Sequence, residues 1–199
     1  MTIFSKIKWV VSILLVFFVV LVTNLIDRGN FNRLRNSVTA IYEDRIVAFD
    51  VLFELSVLIQ KKETAVMSSD PLYFQKENGK ANHDIDSLTE KYENTRLTKN
   101  ERELYSNLKE ELSKLKGLEK DYLSSYSKKS KSSMLKSVDR IDQYLHDLSK
   151  VQLKEGRRQM FISNDAMDTI NLFTRWEIVF LIVMAILVQI IILYKPKES

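Results

Sequence analysis

The apolar positions of this chain fall into three regimes. Two are continuous. Residues 10–26 read VVSILLVFFVVLVTNLI, and residues 178–194 read IVFLIVMAILVQIIILY. Runs of this length approach the ~20 residues that a helix needs to cross a bilayer. Ser12, Thr23 and Asn24 interrupt the first, and Gln189 is the strongly polar residue of the second. The third regime, between them, is periodic.

Leu34, Val38, Ile41, Arg45, Ala48, Leu52, Leu55 and Ile59 follow alternating steps of three and four. That spacing predicts one helix over residues 28–69, continuing from the first apolar run. Asp70-Pro71 ends it and starts the next, since Asp caps a helix and Pro suits its first position. Ile85, Leu88 and Tyr92 mark a second helix, with a break or late start at Asn78-Gly79. Thr98-Lys99-Asn100-Glu101 is a capping-box pattern that opens a third. Its apolar positions are Leu104, Leu108, Leu112, Leu115, Leu118, Tyr122 and Tyr126. The Ser/Lys stretch 127–133 forms the next turn. A fourth helix steps through Met134, Val138, Ile141, Leu145, Leu148, Gln152, Glu155, Gln159, Ile162, Ala166, Thr169, Phe173 and Trp176. It is expected to run into the second apolar segment.

The expected fold class is therefore all-α: an up-down-up-down four-helix bundle whose first and last helices are continuous with two transmembrane helices. The expected segments are a tail (1–8), a first membrane helix (9–27), the bundle (28–175), a second membrane helix (176–194) and a tail (195–199). An open helical hairpin that dimerises as a coiled coil uses the same pattern. Gly (4) and Pro (2) are rare, which suits long helices.

Charge sets the orientation. Lys6 and Lys8 precede the first apolar run, and Lys195 and Lys197 follow the second. The positive-inside rule then places both termini in the cytoplasm and the bundle outside a bacterial inner membrane. Trp9, Trp176 and Tyr194 fit interfacial anchoring. A cleaved signal peptide is the alternative for the first run, but residues 23–28 (TNLIDR) hold no A-x-A-like site.

Candidate chemistry is sparse. The absence of cysteine excludes disulfides and thiolate metal sites. No cofactor is expected, and no Gly-rich phosphate loop or nucleophile with base and orienting acid is present. His83-Asp84-x-Asp86 loosely resembles a metal cluster, although a solvated histidine beside acids is commoner. The net charge of +4 lacks the aromatic interleaving of a nucleic-acid site, and none is expected as partner. Lys61, Lys62, Lys128, Lys129 and Lys131 are expected at the membrane-distal tip, as a solvated loop or a docking site for an acidic partner. Gln189 is a candidate hydrogen-bonding contact between membrane helices.

One polar layer stands out. Arg45 occupies an inward seam position, and Glu155 and Gln159 do so on the fourth helix. Antiparallel packing is expected to set Arg45 against Glu155 or Gln159, with Tyr42 one turn below on the same face. Such a layer serves as a switch or ligand pocket near the turn between helices two and three, or as an ion pair that fixes register.

Residues 37–50, SVTAIYEDRIVAFD, carry a Tyr-x-x-Arg at Tyr42 and Arg45. This stretch resembles the start of the four-helix-bundle sensor domain of bacterial methyl-accepting chemotaxis receptors, where a similar motif follows the first membrane helix. The resemblance extends in architecture from about residue 6 to residue 194. It implies side-by-side homodimers, binding of small ligands or periplasmic proteins, and small helix displacements passed across the membrane. The paired ligand-binding arginines of the amino-acid receptors find no match on helix one. The sequence reaches Ser199 without a HAMP linker or signalling hairpin, so the output is expected from a separate membrane protein partner.

The leading expectation is thus a chemoreceptor-like sensory or binding module, not an enzyme. The alternative is a structural accessory subunit of a larger envelope complex, such as a secretion or ion-driven energising machine.

Overall fold

The computed structural model describes residues 3–125 and 127–193; Tyr126, Tyr194, Lys195 and Lys197 lie outside them, as do the side chains of Trp9 and Gln189. The elements are α1 (Ile3–Ala40), a π-helical segment (Ile41–Ile46), α2 (Val47–Ser68), α3 (Pro71–Lys76), α4 (Asn78–Glu93), α5 (Lys99–Ser125) and α6 (Lys128–Leu193). No strand occurs among the described residues. The chain divides into two compact units, residues 39–159 and residues 1–38 with 160–199.

The unit of residues 39–159 is the helical bundle, and its helix boundaries follow local chemistry. Ser69 adopts a left-handed conformation (φ 55°) and closes α2, its N–H donating to Val66 O. The Asp70 carboxylate then accepts from the amides of Leu72 (2.9 Å) and Tyr73 (3.3 Å), with Pro71 at the first helical position of α3. The expected break at Asn78-Gly79 is the junction of α3 and α4. The capping box forms: the Thr98 amide donates to Glu101 Oε2 (2.6 Å) and the Glu101 amide to Thr98 Oγ1 (3.3 Å).

Two levels of contact establish the helix directions. Arg45 meets Arg96, Glu101 and Gln152 at one level. Lys62 meets Asn78, Asn82 and Glu119 at the other. Between these levels residue numbers rise along α2, fall toward Asn78 on α4, rise along α5, and fall toward Lys131 on α6. Lys131 confirms the last step, its ammonium donating to Met67 O (2.7 Å) and Ser69 Oγ (3.0 Å). The bundle is therefore up-down-up-down, with α3 part of the first connection. Its core joins Leu52, Leu55 and Ile59 of α2, Ile85 of α4, Leu108 and Leu115 of α5, and Ile141 and Leu148 of α6. Apolar burial of this kind is the main stabilising term of such a bundle.

The first helical seam departs from expectation at one place. Arg45, Ala48, Leu52, Leu55, Ile59, Lys62 and Val66 are buried in unbroken steps of three and four. Upstream, Ser37 is buried and Val38 is 54% exposed, the reverse of the expected frame. The π-helical segment lies between them. Its wider turn holds an extra residue, so every position before it is rotated out of the downstream frame.

The other unit contains Ile3–Val38 of α1 and Met160–Leu193 of α6. Asn30, Ser37, Ser163 and Ala166 are buried there, while Leu14, Phe17, Phe18, Leu25, Ile178, Val179, Ile182 and Ile186 are exposed. Among the described residues, no helix is long and apolar enough to cross a membrane. The stretches expected to do so, residues 10–26 and 178–194, lie partly outside the residues whose side chains are described.

Candidate functional site

Arg45 belongs to the π-helical segment and is buried. Its Nη1 donates to Glu101 Oε1 (2.8 Å) and Gln152 Oε1 (3.0 Å), and its Nη2 to the Arg96 carbonyl (3.1 Å). Gln152 Nε2 in turn donates to Glu101 Oε1 (2.6 Å) and to the Tyr92 hydroxyl (2.8 Å). One guanidinium thus joins the first helix, the α4–α5 turn, the start of α5 and the middle of α6. Beside it, Asp44 accepts from the Arg96 amide (3.2 Å). The Arg45 Nε is buried without a hydrogen-bond partner. Burial pushes the Tyr92 hydroxyl pKa up; its bond from Gln152 opposes the shift and the Glu101 charge adds to it. Tyr92 is therefore a neutral phenol, able to accept from Gln152.

The inward position expected of Arg45 is correct, as is its place near the turn between the second and third helices. Its expected partners are corrected. Glu155 and Gln159 are half-buried, and Glu155 instead pairs with Arg158 (2.8 Å) one turn along its own helix. The expectation counted equal distances along two uniform α-helices. The partner on α6 is Gln152, farther from the chain's second apolar run than that count gives, and the capping-box residue Glu101 supplies the carboxylate from α5. Tyr42 is corrected too: it is 63% exposed and does not share the face of Arg45. The tyrosine of the layer is Tyr92. The membrane contact expected of Gln189 concerns a side chain outside the described residues.

A second buried polar layer was not foreseen. Lys62 is fully buried, and its ammonium contacts Glu119 Oε1 (2.6 Å), Asn82 Oδ1 (3.0 Å) and Asn78 Oδ1. Asn78 Nδ2 (2.8 Å) and Asn82 Nδ2 (2.9 Å) both donate to Glu119 Oε2. Every oxygen and proton of the pair has a partner on α2, α4 or α5. Burial lowers the Lys62 pKa, and the neighbouring Glu119 carboxylate opposes that shift. The Tyr73 hydroxyl is buried without a hydrogen-bond partner, and burial with the nearby charges of Glu119 and Glu77 pushes it up to about 12. The signal for this layer was available: Lys62 and Glu119 continue the inward spacing of Ile59 and Leu115. Beside Lys61, Lys62 reads in the sequence as part of the basic tip. Lys131 is likewise engaged, with the end of α2.

A third site lies between α5 and α6, where Glu111 accepts from Ser137 (2.8 Å) and pairs with Lys114 (3.2 Å) and Arg140 (3.4 Å). Burial alone would raise the Glu111 pKa, but these donors outweigh it and lower it. Among the described residues, no group of three or more His, Asp or Glu is placed to hold a metal ion. The buried chemistry is thus that of ion pairs and amides that lock helix register.

Comparison with curated proteins gives no match, and comparison with solved structures gives none either. The family model of the four helix bundle sensory module for signal transduction matches residues 1–164. With that match over most of its length, and with the four-helix topology established by its two polar levels, the chain belongs to the family of four-helix-bundle sensory modules for signal transduction.

Proposed function

We propose that the chain is a chemoreceptor-like module that senses outside the cytoplasm of a bacterium. Residues 10–26 and 178–194 anchor it in the inner membrane, with both flanking tails cytoplasmic. It works as a homodimer and passes helix displacement to a separate membrane protein. The observation that carries this reading is the Arg45 layer. A single buried guanidinium holds three helices and a turn in one register. Displacing any one of them must strain or break bonds to the others, so a local event becomes a movement of the bundle.

Exposed apolar side chains support the anchoring. Leu14, Phe17, Phe18 and Leu25 on α1, and Ile178, Val179, Ile182 and Ile186 on α6, suit lipid or another apolar helix better than water. Tyr42, Ile46 and Phe49 form an exposed apolar line along the first helix, which supports pairing with a second copy. The test uses the full chain, purified from native membranes in mild detergent. A sensor shows a ligand-dependent thermal shift across a panel of small molecules. Stoichiometric co-purification with one membrane complex and no small-molecule response would favour an accessory subunit instead.

A further inference from the structure

A groove of about 440 Å³ runs between α2 and α4. That volume lies in the range of small-molecule sites. Val57, Leu58 and Leu88 supply apolar lining, and the Phe53 ring stands at one side, 62% exposed. Glu54 and Asp84 add a carboxylate from each of the two helices. Among the described residues neither makes an ion pair or hydrogen bond, although Lys80 lies one turn before Asp84 on α4. The contrast with the rest of α4 is informative. Asp86 pairs with Lys116 and Glu93 with Lys109, so its carboxylates toward α5 are neutralised from that helix. The acids at the groove are not.

We infer that this groove binds a small organic cation with an apolar body, of the aromatic-amine or quaternary-ammonium class. The apolar lining takes the body of such a ligand. The cationic head finds two uncompensated carboxylates beside the Phe53 side chain, and a cation that settles over such a ring is attracted by its quadrupole. An anion of the same shape meets only repulsion from Glu54 and Asp84. The inference rests on the sensory reading and adds a ligand class to it, at a place separate from the buried Arg45 layer.

The experiment titrates the full chain, in nanodiscs of zwitterionic lipid, with benzyltrimethylammonium by calorimetry. Empty nanodiscs are the blank, and benzenesulfonate and benzyl alcohol are the anionic and neutral controls. Saturable binding of the cation, with no binding of benzenesulfonate, is expected. The double substitution Glu54→Gln/Asp84→Asn is expected to weaken the cation by about tenfold. Its melting temperature reports that the fold is intact, and Phe53→Ala is a second variant that leaves both charges in place. The inference is overturned if the folded chain shows no saturable binding of benzyltrimethylammonium, or if the double variant and Phe53→Ala both bind it as tightly as the parent. Such a failure concerns the groove alone. Failure of the sensory reading appears instead as the lack of any small-molecule thermal shift together with a stoichiometric membrane complex.

Discussion

Arg45 Nη1 and Glu101 Oε1 lie 2.8 Å apart, with side-chain exposures of 8% and 0%. The same carboxylate group also closes the capping box of α5 through its other oxygen. One acidic side chain therefore serves a local and a long-range purpose. Removing the guanidinium leaves Glu101 charged and buried, which typically costs about 3–5 kcal/mol. Arg45→Leu is expected to lower bundle stability by that order, measured by thermal or denaturant unfolding in detergent. Arg45→Leu combined with Glu101→Gln should recover a large part of the loss, because the amide keeps the cap and removes the charge. A double variant no better than Arg45→Leu alone would contradict this account.

The Lys62 layer obeys the same physics at the other level of the bundle. Lys62→Met is expected to destabilise by about 3 kcal/mol or more, since Glu119 is left with amide donors alone. Adding Glu119→Gln should restore much of it. A coupling energy near zero in this double-mutant cycle would show that the pair is energetically silent.

Acid-base behaviour distinguishes the third site. The donors around Glu111 hold its pKa below the ordinary value of 4.5, so it binds protons less readily folded than unfolded. Its contribution to stability is present above that value and is lost as the pH falls through the lowered one. Ser137→Ala removes a donor and should reduce this acid-sensitive part. Unfolding curves between pH 3 and pH 7 measure it, and parallel profiles for parent and variant would count against the assignment.

Asp142 titrates in the opposite sense. Burial, Glu63 and Asp139 raise its pKa above 3.8, so its ionisation weakens the fold as the pH rises through that window. Asp142→Asn is expected to be the more stable chain at neutral pH, by less than about 1 kcal/mol because the carboxylate is partly exposed. The difference should vanish in acid.

The exposed line on the first helix can be tested without background, because the chain has no cysteine. Ile46→Cys and Phe49→Cys, introduced singly, are expected to give disulfide-linked dimers in membranes. Cysteine at Glu103, on the outer face of α5, should not. Equal cross-linking at all three positions would remove the support for a specific homodimer.

The helix order, the Asp70-Pro71 boundary, the α5 capping box and the seams of α2, α5 and the first part of α6 were legible from spacing alone. These features depend on short-range periodicity and local hydrogen bonds. The inward place of Arg45 was legible for the same reason. Its partners were not, because pairing across helices depends on axial level, which the spacing within one helix does not set. In the sequence Glu101 reads as a cap, which conceals its second purpose. Lys62 was obscured by composition: beside Lys61 it reads as surface charge, and only the continued step from Ile59 marks it as inward.

The π turn has a further consequence, seen by straightening it. An ordinary α-helix through residues 41–46, with no residue added or lost, would bring Val38, seven residues before Arg45, into the inward frame and turn Ser37 aside. The natural chain keeps serine inside and valine outside at this level. The widened turn thus leaves the helix before the bundle less greasy within, and more adhesive without, than its own periodicity would make it.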